Sequence, residues 1–236
     1  QSAVELLAAP RSKRITPLGP VFDLTDGLIA ESTHVVAQMG VEPIVRALDQ
    51  GAEIVVTGRC YDPAVFAAVP IRRGFPEALA LHMGKILECA AIAAVPGSGA
   101  DCMLGTLTHD SFVLEPLNPE RQCTVTSVAA HTLYEKSDPR YLPGPGGTLD
   151  LTQCEFEAVD SRRVRVSGTQ FIVDTPYRVK LEGARPIGFR TISIAGVRSP
   201  DFIGSLDAIL ESARVSVFSH FPDIAPEEAT LIFRCY

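Results

Sequence analysis

The stretch Ala52-Glu53-Ile54-Val55-Val56-Thr57, bracketed by Gly51 and Gly58, constrains the fold of this chain more than any other. A run of that length, rich in β-branched residues and closed at both ends by glycine, reads as a parallel strand buried on both faces. Upstream, residues 41–48 carry apolar side chains at helical spacing, and Gly51 stands where a helix C′ cap belongs. Downstream, Gly58-Arg59-Cys60-Tyr61-Asp62-Pro63 reads as a turn that opens a short helix, with Asp62 as N-cap and Pro63 at N1. Residues 76–94 predict a long amphipathic helix stopped by Pro96. Helix, strand, loop, helix is the order of an α/β sheet with crossovers. Open sheets of that kind gather ligands at the carboxyl ends of their strands, which here means Arg59 to Asp62.

Beyond a glycine-marked loop at 96–105, residues 126–137 predict another helix, with Thr126 or Ser127 as its cap. After Gly147 the pattern changes. Residues 154–159 and 163–167 alternate around Asp160-Ser161 and predict an antiparallel hairpin. Residues 177–181 and 189–194 extend its sheet, 202–220 form a helix, and 229–235 form a last strand expected to pair outside the chain. A short helix is expected at 4–9. The expected fold class is α/β, a partly parallel sheet with crossover helices, followed by an α+β portion with antiparallel strands. Pro143-Gly144-Pro145-Gly146-Gly147 marks the expected boundary, giving domains 1–147 and 148–236.

With 46% apolar residues in 236, the chain can bury a large core and further apolar area against a partner. A net charge of −7 without a basic stripe argues against a nucleic-acid partner. The cysteines stand singly, with no C-x-x-C pair, so reduced thiols in a cytoplasmic protein are expected rather than disulfides or structural zinc. No run of 18 apolar residues predicts a membrane span, and no basic start before an apolar run predicts a signal peptide. The chain opens on Gln1 rather than Met, so residue 1 is expected not to be the natural start. His-x-His, His-x-x-x-His and clustered carboxylates are missing, so no metal site is predicted; the sequence leaves the cofactor open.

Arg59 and Asp62 are the leading candidates. A guanidinium at a sheet edge can hold a carboxylate or phosphate in a bidentate fork, and a neighbouring carboxylate can move a proton or orient that arginine. The alternative is an Arg–Asp pair that fixes the turn. Tyr61 and Cys60 share the segment. Glu42 is a second acidic candidate, although a carboxylate in a first helical turn also serves the helix dipole. His82, Lys85 and Cys89 fall on one helix face, which either presents an acid–base group and a cation to a cleft or forms a solvated stripe around a buried thiol. Gly97 and Gly99 could cradle a phosphate through backbone amides, but their loop follows a helix where a phosphate loop follows a strand. His109 and Asp110 are neighbours in sequence, which does not make them a dyad, and no G-x-S-x-G nucleophile elbow occurs.

Three ordered blocks resemble one family. They are Gly40-Val41-Glu42-Pro43-Ile44 leading into Val55-Val56-Thr57-Gly58-Arg59-Cys60-Tyr61-Asp62-Pro63; Ser127-Val128-Ala129-Ala130-His131-Thr132-Leu133-Tyr134-Glu135 with Asp138, Pro139 and Asp150; and Val164-Arg165-Val166-Ser167-Gly168. In order and spacing they are similar to the acyclic terpene utilisation (AtuA) family, of which this chain resembles the middle portion. The resemblance implies a catabolic enzyme or catalytic subunit acting on branched or terpenoid carboxylates, as free acids or coenzyme A thioesters, by lyase or hydratase-type chemistry. In that reading Arg59 holds the anionic group, and Asp62 or Glu42 moves a proton. It also implies a homo-oligomer or a complex with a small ferredoxin-like module. A non-catalytic scaffold subunit and a small-carboxylate binding module are the competing classes. Tyr134, Glu135 and Lys136 are expected to serve helix packing and a surface pair.

Overall fold

The computed structural model describes residues 15–16, 24–136, 138–225 and 227–236; the helix expected at 4–9 lies outside them. Two compact units divide the chain, Gln1–Pro186 and Ile187–Tyr236.

In the first unit a short helix α1 (Asp26–Glu31), capped by the Thr25 hydroxyl, leads into strand β1 (His34–Ala37). Helices α2 (Glu42–Asp49), α3 (Ala64–Arg72) and α4 (Glu77–Leu87) follow, then a 3₁₀ turn at Ala90–Ala93 and the short strand β2 (Ala94–Val95). Strands β3 (Met103–Leu107), β4 (Ser111–Pro116) and β5 (Gln122–Cys123) precede helix α5 (Val125–Thr132). Strands β6 (Tyr141–Gly144) to β11 come next: β7 Gly147–Asp150, β8 Glu155–Ala158, β9 Val164–Ser167, β10 Gln170–Val173 and β11 Leu181–Ala184. They build a four-stranded sheet in the order β3-β4-β9-β8, a three-stranded sheet β10-β7-β6, and the pairs β1-β11 and β2-β5. Every ladder is antiparallel.

Helix α4 is the centre of this unit. Its Ala80 and Leu81 join α2, α3, Leu142 and Leu149 in one core, while Leu79, Met83 and Ile86 join Phe112, Leu114, Val164 and Val166 in another. Eight consecutive residues, Leu79–Ile86, are therefore buried. A helix with apolar partners on two sides cannot be amphipathic in the ordinary sense, which corrects the expectation for 76–94.

No parallel sheet forms among the described residues, and the α/β expectation is overturned. Residues 52–57 form no strand: the chain bends at Glu53 and Ile54, Ala52 N donates back to Ala47 O (3.1 Å), Ile54 is 85% exposed and Val56 91%, while Val55 packs on the first core. An apolar β-branched run favours extended backbone, but a strand also needs a neighbour, which local sequence does not specify. Parallel pairing survives only as an isolated bridge, in which Met39 donates to Arg59 O (3.2 Å) and Tyr61 donates to Met39 O (2.8 Å). Asp62 does not cap α3, whose cap position is Pro63. Helix α5 starts one residue early, with a capping box between Thr124 and Ser127.

The hairpin expected over 154–167 forms as β8–β9. Residues 177–181 do not extend its sheet; the strand β11 that follows pairs with β1 instead. The glycine–proline segment at 143–147 lies in the β6–β7 hairpin.

In the second unit, helices α6 (Pro200–Gly204) and α7 (Leu206–His220) occupy the predicted helical stretch. Residues 189–194 and 229–235 are not strands, which corrects both expectations; Phe189, Ile194 and Ile232 stand exposed. Without a neighbouring strand their donors and acceptors have no ladder to join. Leu231 O accepts from Arg214 instead (3.2 Å), and the guanidinium lies over the Phe233 ring. No helix among the described residues is long and apolar enough to cross a membrane.

Candidate functional site

The parallel bridge turns the 59–63 loop toward α4, and Gly84 lets the two approach. A Cβ on Gly84 would stand 2.6 Å from Pro63 O. Tyr61 is thereby buried, its ring against Gly144 of β6. The C-terminal end of α4 brings Lys85, Glu88 and Cys89 to the same region. From the other side α5 carries His131 in its last turn, and the chain turns through Glu135, a non-glycine residue at φ 59°, into Lys136.

These elements assemble a dense cluster of titratable groups. The Lys85 side chain is 2% exposed; its ammonium is paired with Glu88 and lies 5.5 Å from the Tyr134 ring centre. Burial raises the Glu88 carboxyl, and the Lys85 hydrogen bond only partly opposes this. His131 stacks on Tyr134, and burial, then Lys85, lowers its pKa. Lys136 Nζ sits 5.3 Å from the centre of the Tyr61 ring; burial, then Lys85, brings its pKa down to about 8. Burial, with Glu88 and Asp62 nearby, raises the Tyr61 phenol well above its ordinary value. Tyr61 Oη and His131 Nε2, both buried, have no hydrogen-bond partner among the described residues. Such atoms call for a partner, which an ordered water or a ligand can supply. Burial and Glu88 raise the Cys89 thiol, which favours its protonated form.

Arg59 and Asp62 lie together beside this cluster, joined at 3.2 Å. The guanidinium is largely committed, because its Nε donates to Glu182 (2.8 Å), which also takes Lys180 (2.9 Å). Glu42 answers to other neighbours: the Tyr177 hydroxyl donates to it (3.0 Å), a contact for which only glycine fits at 40. Burial, aided by that hydrogen bond, pushes Tyr177 up to about 12.

His82 is fully buried in a hydrogen-bond chain whose polarity can be derived. Thr132 Oγ1 donates to Val128 O (3.0 Å), so it accepts from His82 Nε2–H (3.0 Å). His82 Nδ1 then accepts from the Thr169 hydroxyl (2.7 Å), which the Cys154 thiol approaches at 3.6 Å. Burial lowers the imidazole pKa to about 3, so it is neutral and ties α4, α5 and the β9–β10 connection together.

Gly97 and Gly99 are exposed, and two amides of their loop are used internally: Ala100 N donates to Ser98 Oγ (3.1 Å) and Cys102 N to Asp101 Oδ1 (2.8 Å). Buried Arg121 clamps the loop through Pro96 O (2.8 Å) and Asp101 (2.9 Å). His109 stacks on Phe75 at 4.9 Å, while Asp110 takes the hydroxyls of Thr108 (2.6 Å) and Ser111 (3.0 Å) in an open cavity of about 520 Å³ with Arg165 and Ser167. The adjacent pair thus has separate partners.

Tyr61, Lys85, Arg59 and Asp62, all candidates from the sequence, are brought into one region by the structure. Glu88 was missed, although it stands three residues after Lys85 on the same helix. Lys136 was read as surface, and its burial depends on contacts no local pattern shows.

The fold and this cluster define a mixed α and β protein with small antiparallel sheets and a partly buried cluster of titratable groups. The chain belongs to the family of the acyclic terpene utilisation protein AtuA: the model of "Acyclic terpene utilisation family protein AtuA" matches residues 16–98 and 110–214. The two matched segments hold both sides of the cluster. No curated protein and no solved structure matches the chain.

Proposed function

We propose that the protein is a cytoplasmic catabolic enzyme that acts on a branched or terpenoid acyclic carboxylate, free or as its coenzyme A thioester, by lyase or hydratase-type acid–base chemistry. The family's description, acyclic terpene utilisation, supports a terpenoid substrate. The observation that carries the reading is the unpartnered Tyr61 hydroxyl beside the Lys85–Glu88 pair. Elimination or hydration next to a carbonyl needs a group to move a proton and a donor to hold the charge that develops. Glu88, raised by burial, suits the first task, with Asp62 at the rim as a second carboxylate. Tyr61 keeps its proton at neutral pH and suits the second. Arg59 gives the rim a cation that takes a ligand only by exchange with Glu182. The apolar surface at Ile54, Val56, Val65 and Phe66 favours an oligomer or a partner subunit.

Isotope exchange tests the reaction. The intact protein is incubated in deuterium oxide with 3-methylbut-2-enoate and with its coenzyme A thioester, and mass spectrometry reads deuterium uptake at carbon. Uptake with at least one of them is expected, with Glu88→Gln and Tyr61→Phe slowing it about 10²-fold or more. Binding without any uptake would reduce the protein to a carboxylate-binding module.

A further inference from the structure

Every cation around the cluster except one has a carboxylate. Lys85 has Glu88, Lys180 has Glu182, and Arg59 has both Glu182 and Asp62. Lys136 forms no ion pair among the described residues and rests instead against the face of Tyr61. A ring face offers an ammonium some attraction but does not neutralise it. Placing a second lysine near Lys85 in partly buried surroundings costs stability, and the left-handed backbone at Glu135 that delivers Lys136 there adds strain. The left-handed residue serves to stop α5, but packing alone gives no reason to place the lysine. The phenol of the same ring is a buried donor with no acceptor. With Nζ 5.3 Å from the ring centre, one carboxylate can bond to the ammonium and the hydroxyl together.

We propose that Lys136 and the Tyr61 hydroxyl form the seat of the substrate's carboxylate, an inference that rests on the enzymatic reading above and assigns its anion subsite. The seat takes a single negative charge. Glu88 and Asp62 flank Tyr61 and would repel a phosphate dianion. Besides Tyr61, the charged groups that act on Lys136 are Lys85, Glu88, Lys180 and Glu135, so the loaded site carries a near-balanced set. Arg59, already held by two carboxylates, is displaced from the anion-binding role that the sequence suggested.

The test is a titration of the intact protein with 3-methylbut-2-enoate, its neutral amide and inorganic phosphate, followed by ligand-observed NMR. The carboxylate is expected to bind at least tenfold more tightly than the amide or phosphate. Lys136→Met should weaken it tenfold or more, Tyr61→Phe severalfold, and Arg72→Ala, whose arginine pairs with Asp49, less than twofold. Trinitrobenzenesulfonate, with labelled lysines mapped by mass spectrometry, gives a second readout: Lys136 should react early at pH 8 and be protected by the carboxylate. The inference is overturned if the wild-type protein does not bind the carboxylate, if the amide or phosphate binds equally well, or if Lys136→Met binds within twofold of wild type while Arg59→Ala does not. Deuterium uptake that persists in Lys136→Met sinks the inference and leaves the acid–base reading standing. Carboxylate bound on Lys136 without uptake does the reverse.

Discussion

Gly84 and Pro63 stand so close that a methyl group on the glycine would lie 2.6 Å from the Pro63 carbonyl oxygen and 3.0 Å from its Cα. The contact is between two backbones, so no side chain can swing away to relieve it. Gly84→Ala should lower stability by up to about 2 kcal/mol, because overpacking costs roughly 1–3 kcal/mol and the better helix propensity of alanine returns about 1. Denaturant midpoints measure this. The same variant should shift the 59–62 loop and weaken carboxylate binding more than a distant substitution of equal cost; unchanged stability would show that the loop yields freely.

His82 should make the protein sensitive to mild acid. Its pKa falls from 6.5 to about 3 on folding through burial, so between those values the unfolded chain binds a proton that the folded one refuses. Stability is unaffected above pH 6.5 and is lost below it, by at most about 1.4 kcal/mol per pH unit. His82→Gln should be less stable at pH 7 and show a flatter loss from pH 6.5 to 4.5. Parallel curves for the two proteins would remove His82 as the sensor.

Lys136→Met should gain stability where it loses binding. A lysine whose pKa falls from 10.5 to about 8 on folding costs stability fully below pH 8, and the cost fades as pH rises toward 10.5. After loss of the ring contact, the variant should be more stable than wild type by about 1 kcal/mol at pH 7. The gap should narrow by pH 10, as thermal unfolding at the two values will show. A variant that loses stability at pH 7 would mark Lys136 as a packing residue.

Glu135 occupies the left-handed region at φ 59°. Glycine there avoids the clash between Cβ and carbonyl oxygen, so Glu135→Gly should stabilise the protein by about 1 kcal/mol. Glu135→Ala is the control, since it removes the charge and keeps the Cβ. Equal gains from both would place the cost in charge rather than backbone.

The sequence by itself determined the pieces whose causes are local. The β8–β9 hairpin follows from alternation around Asp160-Ser161, and α2 and α7 follow from apolar spacing. The grouping of Arg59 and Asp62 follows from a spacing of three, and the family follows from the order of its motifs. Tertiary structure decided everything that needed a partner distant in sequence. Residues 52–57 carry strand composition, yet they stay unpaired because pairing is a property of two segments. His82 and Lys85 share a helix face with Cys89, but whether that face meets water depends on the two cores that close around α4. Lys136 was brought over the Tyr61 ring for the same reason. An ammonium's pKa and lack of a counter-charge are set by Tyr61, Lys85 and Glu88, which reach it across 48 to 75 residues of chain.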